Sequence, residues 1–331
     1  MSVEPRALGR TDIPVSPIGL GCWQFSQGRN LTGRMWAVLD EATMDATVAA
    51  ALAGGVTWFD TAQAYGDGAS ERALSVALRH AGVAPGGVVV ATKWLPALKR
   101  ASDIPRTIGT RLACLAPYPV DLFQVHIPWS TSPVKDQMHE MAELVRAGKV
   151  RAVGVSNFSA AQMARAGAAL QAEGLPLASN QVRINLLERG IERNGVLDLA
   201  RRHGVTLIAY SPLAQGVLTG RYHDDPASVK KLPWGRRSRL SPSSRFLTAE
   251  GLERSAPLIR ALREVGVAHG GATAAQVALA WLVTYYGDTV VAIPGASRPE
   301  QAADAAAAMD LRLSEAELAH LERLSAPLSK K

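Results

Sequence analysis

The sequence predicts an α/β protein, a (β/α)8 TIM barrel folded as a single domain. Short apolar runs bounded by polar residues alternate with helical patterns, which is typical of strands buried on both faces of a parallel sheet. The 331 residues also suffice for such a barrel, which needs about 250. Six of the runs end at a polar side chain, namely Asp60, Lys93, His126, Asn157, Gln181 and Tyr210. Because parallel sheets gather function at the carboxyl ends of their strands, we expect an active site at the barrel mouth.

Eight strand-and-helix units follow one another along the chain. The predicted strands are residues 18–23, 58–59, 88–91, 121–125, 152–155, 177–179, 206–209 and 289–293. The predicted helices between or after them are residues 40–53, 70–80, 104–115, 135–146, 160–173, 190–203 and 299–309. Each helix supplies the long crossover that two parallel strands need, and closure into a barrel removes the exposed edges of the sheet.

Three segments fall outside this repeat. Residues 9–15 predict a small turn or hairpin that caps the barrel floor. Residues 314–324 predict an extra C-terminal helix, because Ser314 and Glu317 match a capping box. Residues 215–256 predict a long loop after the seventh strand, and loops of that length are usually functional or disordered. Nothing in the composition indicates a linker, so we expect residues 1–331 to form one domain.

Composition and charge narrow the classes of function. No apolar run reaches the roughly 18 residues of a membrane helix, the N-terminus lacks a signal-peptide core, and two cysteines are too few for a disulfide framework. We therefore expect a cytoplasmic protein without membrane insertion. The net charge is +7, and residues 221–245 hold seven basic and two acidic side chains, or +5. This segment is either a solvated loop or a site of attraction for an anionic dinucleotide; its pattern does not indicate nucleic-acid binding.

Four polar side chains on three consecutive strand-loop junctions form a chemically coherent set. Tyr65 follows Asp60 by five residues, and a tyrosine hydroxyl can donate a proton to a forming alkoxide. The charge of Lys93, on the next strand, favours the phenolate form of Tyr65. Asp60 offers Lys93 an ion-pair partner, which makes burial of the lysine charge tolerable. His126 follows on the next strand, where a neutral imidazole can orient a substrate carbonyl. Each residue alone is commonly structural, but their joint placement predicts a catalytic site.

Histidine and aspartate also serve as metal ligands, so a metal-dependent barrel hydrolase is an alternative. The sequence contains no His-x-His or paired-His helical spacing near the predicted mouth. We therefore predict that no metal is bound, and elemental analysis of the purified protein tests this prediction.

The motifs around these residues resemble those of the aldo/keto reductase family, especially its bacterial and plastid-type members. The most specific motif is FDTAQAYG at residues 59–66, followed by Ser70 and Glu71. The others are ATK at 91–93, VH at 125–126, GKVR at 148–151, GVSNF at 154–158, AYSPL at 209–213 and IPG at 293–295. Their order and spacing agree with the family along nearly the whole chain.

The resemblance implies an eight-stranded barrel that binds NADPH, rather than NADH, and reduces a small-molecule aldehyde or ketone. It places Asp60, Tyr65, Lys93 and His126 at the family's catalytic positions, with Tyr65 as proton donor. The implied cofactor contacts are Ser156, Asn157 and Gln181 for the nicotinamide carboxamide, Tyr210 for its ring, Ser211, Leu213 and Gly216 for the pyrophosphate, and Ser297, Arg298 and Gln301 for the adenosine 2′-phosphate and adenine.

Physical reasoning supports the implied role of Arg298 in binding the adenosine 2′-phosphate. Arg298 begins a predicted helix, where backbone amides and the helix dipole favour a phosphate. One departure from the family pattern concerns the adenine, because Ala305 stands where the family often has Asn. The sequence therefore indicates the catalytic residues more directly than it indicates the preference for NADPH over NADH.

The substrate pocket is the part that the sequence determines least. Aromatic side chains near the mouth, Trp23, Trp94 and Trp129 among them, predict a pocket for a small carbonyl compound. Neither the substrate, the direction of the reaction nor the oligomeric state follows from these residues. Our main hypothesis is an NADPH-dependent carbonyl reductase, and the alternative is a cofactor-binding regulatory or sensor protein of the same fold with little turnover.

Overall fold

The computed structural model describes residues 4–233 and 242–329, and the described chain forms a parallel barrel with a hairpin beneath it. The hairpin pairs β1 (Arg6–Ala7) with β2 (Pro14–Val15) in antiparallel fashion. The barrel strands are β3 (Leu20–Gly21), β4 (Trp58–Asp60), β5 (Val89–Trp94), β6 (Val120–Val125), β7 (Val150–Ser156), β8 (Leu177–Arg183), β9 (Thr206–Tyr210) and β10 (Val290–Ile293).

The eight barrel strands lie in sequence order, each parallel to its neighbours. Two parallel bridges, Ile18 to Ala292 and Gly21 to Gly295, join the first strand to the last and close the barrel. The predicted TIM barrel is therefore confirmed. The first strand is shorter than the predicted 18–23, because residues from Trp23 onward turn into a 3-10 helix, Trp23–Ser26.

Helices surround the barrel, and several of them begin at a side-chain cap. They are α1 (Asn30–Gly33), α2 (Glu41–Ala53), α3 (Ala69–His80), α4 (Asp103–Leu115), α5 (Val134–Arg146), α6 (Ala160–Ala172), α7 (Val196–His203), α8 (Arg221–Asp224), α9 (Ala249–Ala268), α10 (Ala274–Tyr285), α11 (Pro299–Ala307) and α12 (Glu315–Ser329). At α2 the Asp40 carboxylate accepts a bond from the Thr43 amide at 2.7 Å. At α12 Ser314 and Glu317 form the predicted capping box, so the extra C-terminal helix is confirmed.

The core has two parts, one inside the barrel and one between the strands and the surrounding helices. Leu8, Ile13 and Val15 of the hairpin belong to the inner part, where they pack with Trp58 and other inward-facing strand residues. The hairpin thus closes the floor of the barrel, as residues 9–15 predict. The floor is filled with apolar side chains. The polar side chains therefore lie at the opposite end of the barrel, at the carboxyl ends of the strands.

The segment after β9 differs from the predicted uninterrupted loop at 215–256. Its described residues form short helical turns, Ala214–Thr219, α8, Pro226–Lys231 and Pro242–Phe246, and α9 begins at Ala249 inside the predicted span. Two helices, α9 and α10, therefore lie between β9 and β10. Residues 234–241, with Arg236, Arg237 and Arg239 of the basic segment, lie outside the described residues. Both expectations for residues 221–245, a solvated loop and a site of attraction for an anionic dinucleotide, therefore stay predictions.

The two cysteines and the helices can be compared with the composition of the sequence. Cys22 and Cys114 are both buried free thiols. Across residues 4–233 and 242–329, no helix combines the length and apolar character that crossing a bilayer requires.

Candidate active site

The alternation of side chains along the strands brings polar groups to the inside of the barrel at its mouth. On β4 the inward positions are Trp58 and then Asp60, and on β5 they are Val89, Ala91 and then Lys93. Successive side chains on a strand point to opposite faces, so each inward series passes from apolar residues at the floor to a polar residue at the mouth. The result is a buried polar layer above an apolar one.

The Asp60 carboxylate is the centre of this polar layer. One oxygen, Oδ1, accepts a bond from Lys93 Nζ at 2.5 Å. The other oxygen, Oδ2, accepts bonds from the side-chain amides of Gln181 at 2.8 Å and Gln124 at 3.1 Å. Lys93 Nζ also donates to the Thr61 carbonyl at 2.8 Å. The buried carboxylate and ammonium are thus surrounded by matching donors and acceptors, the condition under which a buried ion pair is tolerated.

Tyr65 lies beside this pair on the loop that leaves β4. Lys93 Nζ is 4.9 Å from the centre of its ring, and the ring stacks on Trp23 with the centroids 5.7 Å apart. Burial raises the pKa of Tyr65, and the charge of Lys93 opposes this shift without cancelling it. Lys93 therefore lowers the pKa of Tyr65, as expected, but burial raises it by more. The phenol stays protonated at neutral pH, as a proton donor must.

The pKa of Lys93 is raised. Burial alone would lower it, but the neighbouring Asp60 carboxylate and the Tyr65 oxygen both favour the charged form. Lys93 is therefore an ammonium that stabilises negative charge at the Tyr65 oxygen.

His126 completes the group and is neutral at neutral pH. Its ring meets the Tyr65 ring edge-on, with the centroids 5.7 Å apart. Burial, with a further contribution from the charge of Lys93, lowers the pKa of His126 to about 3. Its Nδ1 is buried and has no hydrogen-bond partner within the described part of the chain. A neutral ring with an unused polar atom at the mouth is suited to contact a bound carbonyl group.

A second network lies on the other side of the mouth, at the ends of β7, β8 and β9. Tyr210 donates its hydroxyl to Asn157 Oδ1 at 2.9 Å, and Asn157 Nδ2 donates to Ser156 Oγ at 3.0 Å. Ser156 Oγ donates to the Gln181 carbonyl at 2.9 Å. Asn157 adopts a left-handed backbone conformation, with φ of 61°, that asparagine tolerates better than most residues. Four predicted cofactor residues are thus joined in one chain of bonds.

Both networks open into one cavity of about 760 Å³. Among the predicted site residues its lining contains Asp60, Tyr65, His126, Ser156, Asn157, Gln181, Tyr210, Ser211, Leu213, Gly216, Ser297, Gln301 and Trp23. Lys93 is fully buried below the lining. Arg298 is exposed at the start of α11, next to Ser297, and is not part of the lining. Asp304 and Ala305 lie in the lining at the same end.

The structure separates the three predicted pocket tryptophans. Trp23 lines the cavity, stacked on Tyr65 and packed edge-on against Trp36 at 5.6 Å. Trp94 is completely buried in the core outside the barrel, because it follows the inward Lys93 and points to the opposite face of β5. Trp129 is 67% exposed and does not line the cavity. The structure therefore does not place Trp94 or Trp129 at the pocket wall.

Several lining residues are additional to the predicted set. Arg183 lies over the Tyr210 ring, with its guanidinium carbon 5.2 Å from the ring centre, and pairs with Glu188 at 3.6 Å. Arg221 and Lys231 also line the cavity and belong to the predicted basic segment. Gln124 is buried beneath the lining, and its sequence signal is a lone polar residue inside the apolar run that leads to His126.

In the described part of the chain, one group of side chains has the geometry to hold a metal ion. Glu41, Asp45 and His80 present ligand atoms within 4.8 Å of one another. They lie on α2 and α3, on the outer layer of the protein, and Glu41 and His80 are exposed. Their hydrogen bond, from His80 Nδ1 to Asp45 at 2.7 Å, is an ordinary surface contact.

The amino-acid sequence is similar to that of known oxidoreductases. The profile of the aldo/keto reductase family matches residues 17–326. An uncharacterised oxidoreductase of Mycobacterium tuberculosis is 39% identical over 303 residues, which cover 91% of this chain and 86% of that protein. The chloroplastic pyridoxal reductase of Arabidopsis thaliana is 32% identical over 324 residues, which cover 94% of this chain and 83% of that protein. Bacterial and plastid relatives are both present, as the motifs predict.

Solved structures show the same relationship. The glycerol dehydrogenase of Gluconobacter oxydans superimposes with a TM-score of 0.81 at 27% identity, covering 100% of this chain and 98% of that chain. An aldo/keto reductase of Klebsiella pneumoniae, solved in complex with NADP and acetate, gives a TM-score of 0.72 at 27% identity, covering 98% of this chain and 96% of that chain. The match along nearly the whole sequence, together with the shared barrel, shows that the chain belongs to the aldo/keto reductase family of oxidoreductases.

Proposed function

We propose that the protein is an NADPH-dependent reductase that converts an aldehyde or a ketone to an alcohol, with Tyr65 as the proton donor. The observation that carries the proposal is the convergence of Tyr65, Lys93 and His126 at the mouth of one cavity. A protonated phenol beside a buried ammonium and a neutral imidazole is suited to protonate a carbonyl oxygen.

The residues of the cavity fit NADPH. Arg183, Arg221 and Lys231 give the lining three cationic side chains, and the ion pair of Arg183 Nη1 with Glu188 is 3.6 Å long. Such groups favour the phosphates of a dinucleotide. NADP is bound in the similar Klebsiella pneumoniae structure. When bound, NADPH supplies the hydride that reduces the carbonyl carbon.

The proposed cofactor contacts extend from Tyr65 to the start of α11. In the order nicotinamide, pyrophosphate and adenosine phosphate, they are Ser156, Asn157, Gln181, Tyr210, then Ser211, Leu213, Gly216, then Ser297, Arg298 and Gln301. Their support is position: all but Arg298 line the cavity, and Arg298 is the residue before α11, next to the lining residue Ser297. Arg298 would pair with the 2′-phosphate that distinguishes NADPH from NADH.

Four side chains would each have a separate role in the proposed reaction. His126, neutral because its pKa is about 3, would orient the substrate oxygen by a hydrogen bond without competing for the proton. Tyr65 would give its proton to that oxygen, and the Lys93 ammonium would stabilise the phenolate that remains. Asp60 keeps Lys93 charged and in place.

The experiment compares Tyr65→Phe with wild type for NADPH consumption with a nitro-substituted benzaldehyde. Tyr118→Phe is the matched control, because Tyr118 is also buried but donates to the Val83 carbonyl at 2.8 Å, away from the cavity. We expect Tyr65→Phe to lose about 100-fold or more in kcat while still binding NADPH, and Tyr118→Phe to keep its kcat.

Two outcomes would overturn the proposal in different ways. Equal rates for wild type and Tyr65→Phe would remove Tyr65 from its role. Tight NADPH binding, with wild-type turnover slower than cofactor release across a panel of aldehydes and ketones, would favour the alternative of a cofactor-binding sensor.

A further inference from the structure

Gln124 occupies a position between the catalytic and cofactor networks that the proposed reaction does not yet use. It lies on β6, two residues before His126, and is completely buried. Its amide nitrogen donates to Asp60 Oδ2 at 3.1 Å, and its amide oxygen accepts from Gln181 Nε2 at 3.4 Å. Gln181 donates in turn to the same Asp60 oxygen at 2.8 Å. The three side chains form a closed triangle of hydrogen bonds.

We propose that Gln124 is a positioning residue that orients the Asp60 carboxylate and the Gln181 amide together. This inference rests on the proposed function, in which Asp60 holds Lys93 and Gln181 contacts the nicotinamide. Because an amide has a donor end and an acceptor end, its bond to Asp60 determines which end faces Gln181. Gln124 thereby links the proton-donor side of the site to the cofactor side.

Lys93 limits the ways in which Asp60 can turn. It binds Oδ1, while both amides bind Oδ2, so the two carboxylate oxygens have different partners. Without Gln124, Oδ2 would keep one donor, and the carboxylate could rotate about its bond to Lys93. Because Lys93 lies 4.9 Å from the centre of the Tyr65 ring, such a rotation would change the electrostatic environment of the phenol.

The neighbouring strand leaves room for this side chain. A Cβ atom on Gly154 of β7 would lie 3.0 Å from Gln124 Cγ and 2.3 Å from Ser179 Oγ. Any larger residue at 154 would therefore push against the stem of Gln124 or against Ser179. Filling of space is one function of Gln124, and leucine would also fill space there. Donation to Asp60 is the function that leucine lacks.

The groups around Gln124 determine in which direction the pKa of a carboxyl group introduced at this position would shift. The titratable groups near its amide are Asp60 and Lys93, with Tyr65, His126 and Cys22 around that pair. The neighbours from β7 and β8, Gly154, Ser179 and Gln181, are uncharged. A carboxyl introduced at 124 would therefore meet the Asp60 carboxylate directly, and the repulsion would raise the pKa of the introduced group.

The experiment uses Gln124→Leu and Gln124→Glu, with Gln137→Leu as matched control. Gln137 is also buried, but it lies on α5 and donates to the Ser132 carbonyl at 2.9 Å, outside the barrel. The measurements are kcat with a nitro-substituted benzaldehyde over roughly pH 5 to 9, the Kd of NADPH from quenching of tryptophan fluorescence, and urea unfolding.

We expect Gln124→Leu to lose about tenfold or more in kcat and to bind NADPH about tenfold more weakly. A buried hydrogen bond to the charged Asp60 is lost on one side, and Gln181 loses one of its two acceptors on the other. Gln137→Leu should change neither. Gln124→Glu should show a pH limb that wild type lacks: active at low pH, where the protonated carboxyl donates to Asp60, and falling as pH rises and the two carboxylates repel.

Folded Gln124→Leu with wild-type kcat and Kd would refute the inference. A loss of kcat in Gln124→Leu without a change in Kd, and without the new limb in Gln124→Glu, would show that Gln124 does not orient Asp60 and Gln181 together, and would refute the inference as well. If wild type shows no turnover at all, the proposed function fails first. The Kd of NADPH then decides the inference, which requires a weaker Kd in Gln124→Leu alone.

Discussion

Lys93 is fully buried, yet its pKa is raised rather than lowered, because the Asp60 carboxylate and the Tyr65 oxygen favour its charged form. His126 lies nearby and shows the opposite result. No carboxylate of the described residues pairs with it, so burial and the Lys93 charge keep its ring neutral. At this scale the charge of each side chain depends on whether a partner compensates for the loss of water.

This difference predicts how stability depends on pH. The pKa of His126 is about 3 in the folded protein and about 6.5 in an unfolded chain. As pH falls through this window, the unfolded chain takes up a proton that the folded one refuses, so stability falls. The greatest slope is about 1.4 kcal/mol per pH unit.

We therefore expect the free energy of unfolding of wild type, relative to His126→Gln, to fall by up to about 2 kcal/mol between pH 7.5 and 5. Urea unfolding of both proteins at the two pH values measures it. Parallel pH dependence of the two proteins would show that His126 does not titrate in this window.

A second prediction concerns Arg298 and the choice between NADPH and NADH. If its guanidinium binds the 2′-phosphate, Arg298→Ala should weaken NADPH binding by about 10- to 100-fold and leave NADH binding unchanged. Arg201→Ala is the control, because Arg201 is an exposed arginine beside a second cavity whose lining includes hairpin residues. Titration with each dinucleotide measures the effect, and equal weakening for NADH would contradict the assignment.

The loop after β4 shows how an element holds Tyr65, the proposed proton donor. Tyr65 donates its backbone amide to the Ala62 carbonyl at 3.0 Å, and Gly66 follows with φ of 68°. A Cβ atom on Gly66 would lie 2.1 Å from the Ser26 carbonyl oxygen. The loop is therefore pressed against the turn that carries Trp23, and only glycine fits at this close approach.

A pair of glycine substitutions separates backbone strain from displacement of the loop. Gly55 also has a positive φ, of 83°, but a Cβ atom there would meet nothing within 4 Å. We expect Gly66→Ala and Gly55→Ala each to lose about 1 to 2 kcal/mol of stability for the left-handed conformation. Only Gly66→Ala should also lose about 100-fold in kcat, because it shifts Tyr65. Similar kcat values in folded samples of both variants would show that the loop has more freedom than we infer.

The whole molecule separates stability from chemistry along the barrel axis. The hairpin packs Leu8, Ile13 and Val15 into the floor, and the polar layer around Asp60 lies at the mouth. Between these ends the inward side chains are mostly apolar. Loss of packing at the floor should therefore reduce stability without changing the geometry at the mouth.

Ile13→Ala tests this separation. Ile13 is 1% exposed, and removing its buried methyl and methylene groups should lower the free energy of unfolding by about 2 to 5 kcal/mol. The kcat at a temperature where the variant stays folded should remain close to that of wild type. Urea unfolding and steady-state kinetics provide the two measurements, and a large fall in kcat would mean that floor and mouth are coupled.

Much of this arrangement is predictable because it depends on local pattern. Buried parallel strands are recognisable as short apolar runs, and Asp60, Lys93 and His126 lie within two residues of the ends of three of them. Trp94 shows the limit of that reasoning. It is next to Lys93 in sequence, but alternation along β5 turns it to the outer face, where it packs against the helices. Trp129 is on a loop, whose course no periodic pattern specifies.

The barrel, the hairpin at its floor, the capped C-terminal helix and the order of polar residues around the mouth follow from the amino-acid sequence alone, because each depends on periodicity or on residues a few positions apart. Three further features follow only from the folded barrel: the pKa of Tyr65 rises despite Lys93, Gln124 bridges Asp60 and Gln181, and Trp23 alone of the three predicted pocket tryptophans reaches the cavity. These features depend on burial and on contacts between distant strands. Both arise only when the barrel closes and removes water from the side chains inside it.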